Sequence, residues 1–122
     1  MTTIAVVEDN ADNRLLLQAL LGERYELVEF DNGVDALAGL SASLPDLVLL
    51  DISLPGMDGN EILARIRGDA RLRPLPVIAL TAHAMSGDRE KYLAAGFNDY
   101  ITKPIVDESV LIDAIERWLA KR

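Results

Sequence analysis

Leu47-Val48-Leu49-Leu50-Asp51 is a run of four aliphatic residues closed by a carboxylate. A strand with one wet face alternates apolar and polar residues. An unbroken apolar run instead marks a strand covered on both faces, as at the centre of a parallel sheet. Three further runs have the same form: Ile4-Ala5-Val6-Val7 leads into Glu8-Asp9, Val77-Ile78-Ala79-Leu80 into Thr81, and Tyr100-Ile101-Thr102 into Lys103-Pro104. If these are parallel neighbours, one end of the sheet gathers three carboxylates, a hydroxyl and an ammonium. Open α/β sheets place their ligand sites at that carboxyl end.

Segments of helical period separate the runs. After a first strand at Thr3–Val7, Asp9 or Asn10 can cap a helix whose Leu16/Leu20 and Leu17/Leu21 pairs fall at i, i+4, with Gly22 as its stop. Tyr25–Phe30 is a weaker strand, interrupted by Glu26 and Glu29 and suited to an edge. Asn32-Gly33 is a turn signal, after which Val34, Leu37, Ala38 and Ser41 follow helical spacing as far as Pro45. Past the loop Leu54-Pro55-Gly56-Met57-Asp58-Gly59, residues Ile62, Leu63 and Ile66 form the next stripe. Ala84–Ala95 is helix-like with Gly96 as its stop, a short strand follows near Asn98–Ile101, and Val110/Ala114/Trp118 with Leu111/Ile115/Leu119 pattern the last helix. Strands alternating with helices and joined by right-handed crossovers predict an α/β, doubly wound, five-stranded parallel sheet.

Composition narrows the function. A chain of 122 residues is expected to be a single domain, residues 1–122. Its net charge of −8, from 12 basic and 20 acidic side chains, argues against direct nucleic-acid binding or attachment to an anionic membrane. The absence of cysteine removes disulfides and thiolate metal sites. No signal peptide or membrane-length apolar run is present, so the expected location is the cytoplasm without membrane insertion.

Glu8, Asp9 and Asp51 gathered at one sheet end repel one another unless a cation shares the space, and an all-oxygen donor set suits Mg²⁺, or Mn²⁺. Three carboxylates carry −3 formally; one divalent cation and Lys103 supply +3. Phosphorylating a carboxylate takes it from −1 to about −2 and leaves the site unbalanced. Thr81 can answer the new oxygens with a hydrogen bond and Lys103 with a charge-assisted one. The pattern describes a phosphoryl-transfer site with Asp51 as nucleophile.

Val6-Val7-Glu8-Asp9-Asn10, Asp51 with the following Leu54–Gly59 loop, Thr81-Ala82 and Lys103-Pro104, in this order and spacing, make the chain resemble a response-regulator receiver domain of two-component signalling over essentially its whole length. The resemblance implies a flavodoxin-like sheet of order 2-1-3-4-5. It implies that Asp51 accepts phosphate from a histidine kinase or histidine phosphotransfer protein, with Mg²⁺ held by Glu8, Asp9, Asp51 and the Ser53 backbone carbonyl. Thr81 and Tyr100 are implied as switch residues, Lys103 as a phosphate contact, and the Lys103-Pro104 bond as a cis peptide. Ser53 and His83 are implied to tune phosphate lifetime. A downstream protein would be met on the face of the fourth helix, fifth strand and last helix, which includes Lys91 and Tyr100. The module would be a phosphoacceptor that assists its own phosphorylation and dephosphorylation rather than an enzyme.

Three rival readings are less well served by the residues. A flavin module needs a phosphate cradle after the first strand, where Glu8-Asp9-Asn10-Ala11-Asp12 stands. An aspartyl-phosphate phosphatase needs an acid two residues beyond the nucleophile, where Ser53 stands. A receiver-like module that signals without phosphorylation would have no use for intact acids, hydroxyl and lysine. The chain reads either as a stand-alone receiver or as one excised from a hybrid histidine kinase or larger response regulator.

Overall fold

A computed structural model describes residues 2–54, 56–82, 88–103, 105 and 107–121. Strands and helices alternate: β1 (Thr3–Val7), α1 (Ala11–Leu21), β2 (Glu26–Phe30), α2 (Gly33–Ala42), β3 (Leu47–Asp51), α3 (Gly59–Gly68), β4 (Val77–Thr81), α4 (Asp88–Ala95), β5 (Asp99–Thr102) and α5 (Glu108–Lys121). The sheet is parallel throughout with order β2-β1-β3-β4-β5, the expected doubly wound arrangement.

The unbroken aliphatic runs serve two cores. Ala5, Val7, Val48, Leu50, Val77 and Ala79 face Ala36 and Leu40 of α2, Ile62, Leu63 and Ile66 of α3, and Tyr92 of α4. Their alternates Ile4, Val6, Leu47, Leu49, Ile78 and Leu80 face Leu17 and Leu21 of α1 and Leu111, Ile112, Ala114 and Ile115 of α5. Period-two alternation therefore decides which helix layer each side chain meets. Each fully buried aliphatic side chain contributes about 2 kcal/mol relative to exposure. β2 is the edge strand its two glutamates suggested, and Val28 is exposed on it.

Local boundaries differ from the sequence expectations in informative ways. β3 and β4 run one residue past their aliphatic stretches and include Asp51 and Thr81, because both backbones still pair with a neighbouring strand. Asn10 is the cap of α1, its side chain accepting from the Asn13 N–H. In α2 the Asn32 side chain accepts from the Asp35 N–H, so the helix begins at Gly33 and buries Gly33, Ala36 and Leu40. The expected stripe was out of phase, since Val34 is 65% exposed. In α5 Ile112 is buried and Val110 is exposed.

A clamp closes the amino end of the sheet. The Arg67 guanidinium, on α3, donates to the carbonyls of Arg73 and Leu75, twice to that of Gly96, and to Asn98 Oδ1, at 2.7–3.0 Å. Asn98 Oδ1 also accepts from the Val77 N–H at 2.8 Å. Gly96 adopts φ +115°, a left-handed turn that only glycine takes without strain, and so presents its carbonyl to Arg67. Burial holds the Arg67 pKa below its ordinary value. Among the described residues no helix is long and apolar enough to cross a membrane.

Candidate functional site

The carboxyl end of the sheet collects residues from four separate segments. Glu8 follows β1, Asp51 ends β3, Thr81 ends β4 and Lys103 follows β5. Backbone bonds beyond the strands hold these positions: Glu8 N–H to the Phe30 carbonyl at 3.0 Å, Ile52 N–H to Leu80 at 3.0 Å, and Lys103 N–H to Thr81 at 2.7 Å.

Glu8, Asp9 and Asp51 each offer a carboxylate oxygen within 4.8 Å of the others, with Glu8 and Asp51 buried and Asp9 exposed. The expected acid cluster therefore exists, and its exposed member opens it to solvent. Lys103 Nζ lies 2.9 Å from Glu8 Oε1 and 3.2 Å from Asp51 Oδ2, bridging the two buried acids. Glu8 also accepts from Asn13 Nδ2 at 3.0 Å and from the Asn10 N–H at 3.2 Å, and Arg14 donates to the Glu8 carbonyl at 2.8 Å. Lys103, Asn13 and the Asn10 N–H fill three of the roughly four acceptor positions of the Glu8 carboxylate. Asp51 Oδ1 accepts from the Ser53 N–H at 3.0 Å.

Electrostatics follow from the crowding. Burial raises the Glu8 pKa above the ordinary glutamate value, and neighbouring Asp51 raises it further; Lys103 and the Asn10 N–H oppose the shift without cancelling it. For Lys103, burial alone would lower the pKa, but the hydrogen bond to Glu8 and the charges of Asp51 and Glu8 outweigh it and raise the value. The net result is a cationic lysine held among acids.

The loop after β3 is shaped by a close approach. Gly59 opens α3 and donates to the Ile52 carbonyl at 3.0 Å. A Cβ there would stand 2.6 Å from the Asp51 carbonyl oxygen and 2.7 Å from Ile52 Cα. Glycine therefore lets the helix start directly beneath the nucleophile candidate. Asp58 caps the same helix, accepting from the Glu61 N–H.

Thr81 does not share the bridging of the acids and Lys103. Its side chain continues the Val77–Ala79 alternation toward the α4 layer, and its Oγ1 lies 3.0 Å from the Tyr92 hydroxyl. Tyr100 reaches the same neighbourhood, its ring centroid 5.7 Å from that of Tyr92. Sequence reasoning missed Tyr92, Asn13 and Arg14. Tyr92 was masked by its place in a helix with weak periodicity, although its spacing eleven residues beyond Thr81 is visible once α4 is placed. Asn13 and Arg14 carry a sequence signal only through their place in the first turn of α1. Ser53 is exposed. His83, Pro55 and Pro104, and with Pro104 the expected cis peptide, lie outside the described residues.

A family model described as the response regulator receiver domain matches residues 4–116. Over 119 residues the chain is 39% identical to the sensor histidine kinase GacS of Pseudomonas protegens, covering 94% of this chain and 13% of that protein. It is 41% identical over 104 residues to the polar-differentiation response regulator DivK of Brucella anthropi, covering 84% of this chain and 85% of that one. The chain thus spans about an eighth of the kinase and most of the regulator. Among solved structures, the receiver domain of sensor histidine kinase PA1611 from Pseudomonas aeruginosa, which has a magnesium ion coordinated in its active site cleft, superposes with a TM-score of 0.88 at 36% identity, covering 98% of each chain.

Proposed function

Since the chain belongs to the response regulator receiver domain family of two-component signalling, we propose that Asp51 is its phosphoacceptor and that residues 1–122 work as one receiver domain. The observation that carries this reading is the buried Asp51 carboxylate held between the Ser53 N–H at 3.0 Å and Lys103 Nζ at 3.2 Å, inside the acid cluster.

An Asp51 oxygen attacks the phosphorus of a phosphohistidine; the P–N bond breaks, the imidazole leaves with its electron pair, and an acyl phosphate forms. The donor is a histidine kinase or phosphotransfer protein. Lys103, already 3.2 Å from Asp51, meets the charge that develops on the transferring group. Receivers as a family bind Mg²⁺ in this acidic site, and the donor set here is of the oxygen-only kind that hard cations take. Asp9, Asp51 and the Ser53 carbonyl would hold the ion, with Glu8 in the same acid cluster. When bound, Mg²⁺ or Mn²⁺ supplies positive charge against the phosphoryl oxygens.

Output passes by protein contact. Within the face of α4, β5 and α5, a groove between β5 and α5 is lined by Tyr100, Thr102, Ile105, Val110, Asp113 and Arg117. Trp118 Nε1 and Arg117 Nη1 both donate to the buried Asp99 Oδ2, at 3.1 and 3.2 Å, so the last helix is tied to the strand that carries Tyr100. The chain acts as a phosphoacceptor, in the cytoplasm, without contacting nucleic acid itself.

Incubation with acetyl phosphate and Mg²⁺ tests the reading. Intact-mass spectrometry should show one phosphoryl adduct on the wild type and none on Asp51→Asn. An Asp51→Asn variant labelled to the wild-type level would remove Asp51 from the role.

A further inference from the structure

Asp51 and Thr81 leave their strands on opposite faces of the sheet. On β3, Leu47–Leu49–Asp51 follows the alternation that faces α1 and α5, whereas on β4 Val77–Ala79–Thr81 follows the one that faces the layer containing α4. On that face the Thr81 hydroxyl meets the Tyr92 hydroxyl at 3.0 Å, in a bond buried from solvent. The Tyr92 ring is held edge-on to Phe97, with centroids 6.0 Å apart at 87°, and tilted against Tyr100 at 5.7 Å. Aromatic packing thus fixes where the Tyr92 hydroxyl can be.

We propose that the Tyr92 hydroxyl is a resident partner of Thr81 that competes with the phosphoryl group for the threonine side chain, making Tyr92 a positioning residue for switch closure. The inference rests on Asp51 as phosphoacceptor and Thr81 as the hydroxyl that answers it. Competition holds whichever hydroxyl donates. Thr81 Oγ1 occupies one staggered position at a time, and a rotation that carries it toward a phosphoryl oxygen takes it away from Tyr92. The exchange also removes the hydroxyl bond that joins Tyr92 of α4 to the end of β4. Tyr92, freed at its hydroxyl, can then repack with Tyr100, and the change reaches β5.

Beryllofluoride with Mg²⁺, a phosphoryl mimic, is titrated into the full chain and followed by amide NMR for wild type, Tyr92→Phe, Thr81→Val and the double variant. Tyr92→Phe keeps the ring and deletes the competing hydroxyl. It should bind the mimic about fivefold more tightly, as expected for the loss of one ordinary hydrogen bond from the unliganded state. In the Thr81→Val background the same change should have no effect, giving full coupling in the cycle. In the wild type the Tyr92 ring resonances should move on binding, a readout that needs no variant. Unchanged or weaker binding by Tyr92→Phe, additivity with Thr81→Val, or stationary Tyr92 resonances overturn the proposal while leaving the receiver reading intact. A wild type that ignores the mimic, like an Asp51→Asn control, overturns both.

Discussion

Lys103 and Glu8 stand 95 residues apart in the chain and 2.9 Å apart at the end of the sheet. The lysine also reaches Asp51 at 3.2 Å, so one ammonium offsets two buried carboxylates. Breaking a buried pair by removing one partner costs more than the pair itself contributes, because the remaining charge stays desolvated.

Lys103→Met is therefore expected to lower unfolding free energy by about 3 kcal/mol without metal, since Glu8 and Asp51 then face each other uncompensated. Added Mg²⁺ should recover a large part of the loss. Urea denaturation with and without Mg²⁺ measures both quantities; equal losses in the two conditions would show that the lysine acts by packing rather than by charge.

The raised Glu8 pKa sets a pH dependence. The folded protein holds the Glu8 proton more tightly than the unfolded chain, whose carboxyl titrates near 4.5. Its stabilising contribution is complete below 4.5 and disappears as pH rises through the higher folded value. Metal-free wild type should consequently gain stability relative to Glu8→Gln as pH falls. The increment in Tm produced by Mg²⁺ should shrink over the same range, because protonation removes a facing charge. Thermal melts across pH, with and without Mg²⁺, give both slopes. A Mg²⁺ increment independent of pH in this range would place Glu8 outside the metal's influence.

Gly59→Ala forces a methyl group against the Asp51 carbonyl and Ile52 Cα, at 2.6 and 2.7 Å before relaxation. Backbone atoms cannot step aside as a flexible side chain can. The variant should lose about 2 kcal/mol of stability, and acetyl phosphate should label it more slowly as Asp51 is displaced. Gly68→Ala, whose Cβ meets nothing within 4 Å, is the matched control and should retain normal labelling.

Arg67→Lys separates stability from signalling. Lysine cannot reproduce the planar fork that serves four separate oxygens, so several partly buried acceptors lose their donors. A loss of about 2 kcal/mol in urea denaturation is expected, with acceptance of phosphate by Asp51 unchanged at temperatures where the variant is folded. The clamp sits where β4 and β5 begin, and the acid cluster sits at the other end of the sheet.

Why some of this was legible in the sequence and some was not follows from the kinds of force involved. Leu47–Leu50 and its companions announce a two-sided sheet because burial is a residue-by-residue property, and the acids stand out because they terminate such runs. The phase of α2 was misjudged because Val34 and Ala36 are both apolar, and only the cap at Asn32 decides between them. Tyr92 and Arg67 act through partners eleven and twenty-nine residues away, on other elements. Their roles depend on packing geometry, which periodicity does not encode. Glu8 and Lys103 were read as members of one site, but their direct contact and its consequences for protonation required the three-dimensional register.

Glu8, Asp51, Thr81 and Lys103 are each anchored at the last rungs of a ladder that joins strands distant in sequence. The four residues span positions 8 to 103, so the set is complete only once the segment around residue 103 has paired beside β4. On the proposed reading, competence to take up phosphate requires the last strand in place. Incomplete or misregistered chains would be silent in signalling, so the same geometry that makes the switch also screens which molecules are allowed to report.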